Sequence, residues 1–422
     1  MESRGRAVAW PVKMGAPLSS ETSPVTNYLL FGLFAATLLG IAKFHQHAFR
    51  IALAGLGCVL LVKLTMTEFA LGAHLAHEWK TIVNLGGLLL GFAVLANYFE
   101  RSHLPDKLTE VLPAGRLGAF LLLVLIAVMS SVLDNIAAAL IGGSAAITLF
   151  QRRIHIGYLA AIVAASNAGG AGSVIGDTTT TMLWIEGASP LWVLKAALGA
   201  TVAIAFFGSF ASAQQNALQP LVKSTAAPPP LDGIRLAIVG LVIGGAIYAN
   251  VAFDFPAAGV WAALLVGAVV RQPDWRVLGS AIGGTLFLVS LVLTASMMPV
   301  DELPAASMTS TLALGFISAF FDNIPLTKLA IEQNAYDWGL LAYAVGYGGS
   351  MLWFGSSAGV AISGLFPEAK SAVAWLKNGW HVVVGYVLGF VAMALLFGWE
   401  PRTLQPPARA ADAAPPGVTT PK

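Results

Sequence analysis

Charge is scarce in this chain: Asp, Glu, Lys and Arg together make up 10% of its 422 residues. A soluble domain carries about 25%, so this one cannot cover itself with a water-compatible surface. Cysteine is nearly absent. The single Cys58 excludes an intramolecular disulfide and a cysteine-held metal cluster, and its apolar flanks predict a packing role inside the protein. Neither sign of charge prevails, since the formal net charge is +2, which excludes nucleic acid as a partner. The first 24 residues lack a basic-then-apolar leader and read as a flexible tail. What remains is 57% apolar with 44 glycines and a mean hydropathy of +0.77, the composition of an integral membrane protein.

Two stretches of the chain are nearly the same. Ser130-Ser131-Val132-Leu133-Asp134-Asn135-Ile136 is followed by Gly169-Gly170 and Gly176-Asp177-Thr178. Ser318-Ala319-Phe320-Phe321-Asp322-Asn323-Ile324 is followed by Gly348-Gly349 and Gly355-Ser356-Ser357. Both read S-x-x-x-D-N-I and then G-G-x5-G. A polar Asp-Asn pair in an apolar run is costly once. Placed twice, with matching glycine-rich partners, it describes one site built from two halves.

A membrane span needs roughly 20 apolar residues. Spans are expected near 27–43, 50–67 and 81–99, then a polar-centred run at about 116–150, a glycine-broken segment at about 157–185 and a span near 190–212. A polar, proline-rich linker at 213–233 separates this first repeat (25–212) from a second (234–398). There the order recurs: spans near 234–252, 257–271 and 277–299, a polar-centred run at about 304–332, a broken segment at about 338–364 and a span near 379–398. Residues 399–422 read as a disordered tail. The polar-centred runs are too long for one crossing and too short for two, so each is expected to be a re-entrant hairpin. Irregular backbone at membrane depth needs protein or a water-filled cavity around it. Each half then crosses five times, and an odd number inverts the second half relative to the first. The predicted fold is therefore all-α and polytopic, with two inverted repeats, each holding a re-entrant hairpin and a broken transmembrane helix. Inverted repeats are how secondary transporters achieve alternating access. Lys and Arg cluster at Lys43, Arg50, Arg101, Arg152, Arg153, Arg235, Arg271 and Lys377 on one side, which the positive-inside rule makes cytoplasmic. Both termini then face outward.

Four ionisable residues fall at presumed membrane depth, where each is a functional candidate: Asp134, Asp177, Asp322 and Lys328. Asp134 and Asp322, beside Asn135 and Asn323, sit at the hairpin tips, where they bind cations or simply cap a half-helix. Asp177 precedes Thr178-Thr179-Thr180-Thr181, and carboxylate plus hydroxyl oxygens on a broken helix suit a hard cation. A carboxylate there holds a proton in place of the cation, and mutually exclusive binding of the two is the simplest antiport mechanism. The threonines can also bond back to their own helix. Ser356 replaces Asp177 in the second half, so the site is expected to be asymmetric. Lys328 is expected to snorkel, to neutralise Asp322 or another buried acid, or to hold an anionic substrate. Trp184, Trp353 and Trp380 fit an aromatic belt near span ends.

The stretches S-S-V-L-D-N (130–135), S-N-A-G-G-A-G-S-V-I-G-D-T-T-T-T-M-L-W (166–184), F-D-N-I-P-L-T (321–327) and G-G-S-M-L-W-F-G-S-S-A-G-V (348–360) closely resemble the NhaD-type sodium/proton antiporters. These belong to the ion transporter superfamily, which also includes arsenite permeases and dicarboxylate carriers. The resemblance implies exchange of Na+ or Li+ for protons in a bacterial inner membrane, with no cofactor and commonly as a homodimer. Carried over by position, Asp134, Asn135, Asp177, Thr178, Asp322, Asn323, Ser350 and Ser356 become the cation- and proton-binding candidates, with a Na+ site at Asp134, Asp177 and Asp322. Lys328 departs from the family pattern and is expected to modulate the site's charge. The alternative is a carrier for a small anion or oxyacid, with Lys328 facing the substrate. An intramembrane aspartyl protease is disfavoured, because the first glycine of Gly-x-Gly-Asp is missing before Asp177 and Asp337 reads as a loop residue. The chain is therefore not expected to be an enzyme.

Overall fold

The computed structural model describes residues 23–222 and 229–404. Among these, nineteen α-helices follow one another and no strand forms. The first half holds α1 (Pro24–Lys43), α2 (Ala48–Met66), α3 (Leu71–Glu100), α4 (Leu104–Glu110), α5 (Gly115–Ser130), α6 (Asn135–Leu149), α7 (Ile156–Ala171), α8 (Thr178–Ile185), α9 (Pro190–Leu194) and α10 (Ala196–Leu218). The second half holds α11 (Gly233–Phe253), α12 (Pro256–Val270), α13 (Arg276–Ser296), α14 (Met308–Ser318), α15 (Asn323–Gln333), α16 (Trp338–Gly348), α17 (Ser357–Leu365), α18 (Ala372–Asn378) and α19 (Trp380–Phe397). Seven helical stretches are long and apolar enough to cross a membrane, and the chain is an all-α polytopic membrane protein.

Helices α1–α3 and α11–α13 form one bundle, in which α3 lies on α12 and α13 while α2 lies on α13. The other helices form a second bundle around α7 and α16, which pack on each other. Every residue of α16 is buried, and nearly every residue of α7. A helix apolar all round is a core helix. Small residues make this possible, because lipid gives helices no hydrophobic push together and close backbone approach must supply the attraction. A Cβ on Gly169 of α7 would overlap the Ala127 carbonyl of α5, and one on Gly348 of α16 would overlap the Gly315 carbonyl of α14. Ser130 and Ser318 fasten the same contacts. Ser130 Oγ donates to the Ser166 carbonyl at 2.6 Å and Ser318 Oγ to that of Val345 at 2.8 Å.

Helices α5 and α6, of 16 and 15 residues, rise only about 24 and 22 Å, short of a hydrocarbon core of roughly 30 Å. Their outer ends meet. The Gly115 amide donates to the Leu221 carbonyl at 3.3 Å, and the neighbouring Val222 amide donates to that of Leu149 at 2.9 Å. One dipeptide thus ties the start of α5 to the end of α6. Helices α14 and α15, 11 residues each, are closed in a similar way: Gln333 Nε2 donates to the Pro304 carbonyl at 2.7 Å.

Ion pairs mark the two ends of the molecule. Arg101–Asp274 at 2.7 Å and Arg235–Asp232 at 3.3 Å lie at the end that holds Leu149 and Leu221. Lys80–Asp254 at 2.7 Å and Lys195–Glu400 at 2.6 Å lie at the other.

Four details differ from expectation. Residues 213–218 continue α10 rather than opening a linker. Residues 399–404, expected as tail, are docked: the Arg402 amide donates to the Tyr336 carbonyl at 2.9 Å, and the Leu404 amide to Asn334 Oδ1 at 2.8 Å. The remainder of both tails lies outside the described residues. Cys58 is exposed on α2. Trp184 and Trp353 are buried at 5% and 7% exposure, whereas Trp380, at 41%, sits on the surface.

Candidate functional site

Four helices begin at the middle of the second bundle, and their N-cap residues are Asp134 (α6), Asp177 (α8), Asp322 (α15) and Ser356 (α17). Helices α5, α7 and α14 end there as well. Helix N-termini carry partial positive charge and C-termini partial negative charge, so the place can stabilise a carboxylate and a cation together. Matching positions take matching backbone. Asp134 and Asp322 have φ/ψ of −55/141 and −54/140, while Asp177 and Ser356 have −148/145 and −143/155.

Asp134 and Asp322 do cap. Asp134 Oδ2 accepts from the Ile136 amide at 3.1 Å and Asp322 Oδ1 from that of Ile324 at 3.0 Å. Ser357 Oγ donates to the other Asp322 oxygen at 3.4 Å. Asp177 does not cap. Its side chain is 1% exposed, and Oδ1 accepts from Asn135 Nδ2 at 2.7 Å. Oδ2 has no hydrogen-bond partner and points towards Gly346 of α16. Asn135 Nδ2 also donates to Asn167 Oδ1 at 3.0 Å. Asn167 Nδ2 in turn donates to Ser350 Oγ and Ser356 Oγ, both at 3.0 Å. One continuous network therefore runs from Asp177 in the first half to Ser350 and Ser356 in the second.

Asn167 is the residue that sequence reasoning passed over. Counting from the paired glycines, its counterpart in the second half is Gly346. Where the second half offers Ser356, an asparagine faces it; where the first half offers Asp177, a glycine leaves room for the carboxylate.

Of the four threonines, Thr180 and Thr181 bond backwards. Both hydroxyls donate to the Asp177 carbonyl at 2.9 Å, and they also reach the Ser173 and Val174 carbonyls at 2.5 and 3.0 Å. Thr178 and Thr179 are buried, and the Thr179 hydroxyl faces the Asp177 carboxylate without reaching hydrogen-bond geometry. Asn323 is buried at its tip. Among the described residues no three His, Cys, Asp or Glu side chains converge as metal ligands. The nearest polar neighbours of the Asp177 side chain are amide and hydroxyl groups, while Asp134 and Asp322 cap the adjacent helices. Asp134 and Asp322 act on it through space.

Lys328 lies elsewhere. It is 2% exposed and pairs with Glu332 at 2.7 Å, Glu78 at 3.0 Å and Glu186 at 3.6 Å. It neither snorkels nor touches Asp322. Glu78 is buried at 3% exposure, and Glu186 is partly exposed. Asp337 is no loop residue: it caps α16, accepting from the Gly339 and Leu340 amides at 3.1 Å each.

The fold and the site together define a polytopic membrane protein with a buried carboxylate at the meeting point of several helix ends. No protein-family model matches the chain. It is similar to Sodium/proton antiporter 1 of Arabidopsis thaliana, at 26% identity over 427 residues, covering 87% of this chain and 72% of the relative. Sodium/proton antiporter 2 of the same plant is 27% identical over 285 residues, 55% of this chain and 66% of the relative. The Na(+)/H(+) antiporter NhaD of Vibrio cholerae is 30% identical over 122 residues, 28% of this chain and 24% of its own length. The resemblance to NhaD-type sodium/proton antiporters therefore extends beyond the motifs, and these relatives are transporters rather than enzymes.

Proposed function

We propose that the protein exchanges Na+ or Li+ for H+ across a membrane, with Asp177 binding cation and proton in turn. The observation that carries this is the state of its carboxylate. Asp177 is buried with one oxygen held by Asn135 and the other without a hydrogen-bond donor. An acceptor left so is costly unless a proton or cation completes it, and the two compete for one place. The network through Asn135, Asn167, Ser350 and Ser356 couples that event to both halves of the chain.

In this reading the α5–α6 and α14–α15 pairs are re-entrant hairpins of two inverted repeats, and alternating access comes from their relative movement. Short arms with bases tied at one end support it. The basic end faces the cytoplasm by the positive-inside rule, so the first hairpin opens inward and the second outward. The anion-carrier alternative loses its main support, because three carboxylates surround Lys328 and would repel an anionic substrate.

The test uses purified protein in acid-loaded liposomes with an internal pH dye and clamped potential. Adding Na+ or Li+ outside should alkalinise the lumen, and Asp177→Asn should abolish the response while keeping the thermal midpoint of the folded protein. Normal exchange in Asp177→Asn removes that residue from the mechanism. No response to either ion in the unaltered protein, with uptake of a labelled dicarboxylate instead, overturns the reading.

A further inference from the structure

Besides the exchanges of Asp177 for Ser356 and Asn167 for Gly346, the two halves differ at one pair of interfaces. Helix α6 packs on α17, and its counterpart α15 packs on α8. Lys328 lies five residues after Asn323, and five residues after Asn135 stands Leu140. Glu186 lies nine residues after Asp177, and nine after Ser356 stands Leu365. The α6–α17 interface is apolar and tight: a Cβ on Gly143 would come 2.8 Å from Ile362 and 3.6 Å from Leu365. The α8–α15 interface instead carries Lys328 and its three glutamates. An element added to one half alone serves something the two faces do not share.

The cluster is also out of balance. Three carboxylates face one ammonium, and a net negative charge withdrawn from water is expensive. Glu78, 3% exposed, has Oε1 as acceptor of a 3.3 Å hydrogen bond from Lys328, while Oε2 has no hydrogen-bond donor although Nζ lies 3.0 Å away. Glu186 and Glu332 are partly exposed, with side chains at 24% and 28%. Thr81 Oγ1 donates to Glu186 at 2.8 Å. From α3, His74 lies within electrostatic reach of Glu332, Lys328, His77 and Lys63, and its Nε2 is 3.0 Å from Ser296 Oγ. The turn before α14 adds Asp301 and Glu302; α14 and α8 bring no ionisable side chain, and α16 only tyrosines.

We propose that Glu78, Glu186, Glu332 and Lys328 form a proton-binding station on the outer side, separate from the Asp177 network, through which the transporter takes up protons from that face alone. One proton from outer water enters by way of Glu186 or Glu332 and settles on Glu78. The Glu78–Lys328 ion pair is lost, Lys328 keeps Glu332, and the cluster's formal charge changes from −2 to −1. Because Lys328 rides on the second hairpin and Glu78 on α3, the proton loosens the hairpin from the other bundle on the outer side. This rests on the antiport reading.

The experiment measures Na+-driven exchange in proteoliposomes while pH is varied on each side separately, for the unaltered protein, Glu78→Gln, Lys328→Met and Glu186→Gln. Glu78→Gln should shift the half-maximal outer pH by about one unit, a tenfold change in proton concentration, with the inner pH profile unmoved and apparent Na+ affinity within about twofold. If Glu78→Gln or Lys328→Met does not fold, Glu186→Gln, at the exposed rim, carries the comparison. Unchanged outer pH profiles in folded variants overturn the station. If the unaltered protein exchanges neither Na+ nor Li+, the antiport reading fails, and infrared difference spectra between acid and alkaline pH decide the station independently. A protonated-carboxyl band absent from Glu78→Gln upholds it, and identical spectra refute it.

Discussion

Replacing Asn167 by alanine removes a side chain that touches both halves of the site. Three hydrogen bonds of 3.0 Å disappear together, to Asn135, Ser350 and Ser356. A buried neutral hydrogen bond is worth about 1 kcal/mol net, and interhelical ones in membranes average about 0.6, so the loss is about 2–3 kcal/mol. Ser356 keeps the Gly359 amide at 3.2 Å as a partner, which recovers part of it. Asn135 keeps Asp177 but loses the contact that fixes its amide plane. If roughly 1.4 kcal/mol of this acts only on the cation-bound state, apparent Na+ affinity falls about tenfold. Dye-loaded liposomes titrated with Na+ read that number, and a thermal unfolding curve of the same preparation shows whether the fold survived. An Asn167→Ala protein that folds and binds Na+ within about twofold of normal would refute the idea that the network spans both halves to organise the site.

Two further outcomes are expected. Gly169→Val and Gly348→Val drive side chains into the Ala127 and Gly315 carbonyls, and overpacking of this kind costs about 1–3 kcal/mol or more; both should unfold at lower temperature, and a normal midpoint in either would mean the helices are not so close. A spin label on Cys58, the chain's single cysteine, should collide with oxygen far more than with a water-soluble nickel complex, because α2 presents it outward at membrane depth. The opposite ratio would place that face of α2 against water.

The duplicated Asp-Asn and glycine motifs were legible because polar residues in an apolar run stand out and their spacing recurs. So were the helix order and the broken segments. Cys58 was misread for a physical reason: hydropathy distinguishes apolar from polar surroundings, but lipid and protein core are both apolar. Trp184 and Trp353 misled in the opposite sense, since closeness to a span end says nothing about which way a ring points. Glu78 escaped because α3 begins at Leu71, ten residues before the apolar run near 81–99, and a stretch with His74, His77, Glu78 and Lys80 reads as loop. Glu332 had a signal in plain view, four residues after Lys328 on one helix face. Asn167 had none beyond its neighbours, for its importance lies in contacts to Ser350 and Ser356 that only folding creates.

Hydrogen bonds to residues made late also set a timetable for biosynthesis. The turn after α15 is held by residues made much later, with Asn334 reaching Leu404 across 70 residues. At about 5–20 residues per second, that interval is roughly 4–14 seconds. Until then the turn after α15 lacks that tie, while the α14–α15 pair is already closed by its own Gln333–Pro304 hydrogen bond. The α5–α6 pair waits for Leu221 and Val222. Cutting the chain after Phe397 would leave the turn after α15 permanently without its ties to Arg402 and Leu404.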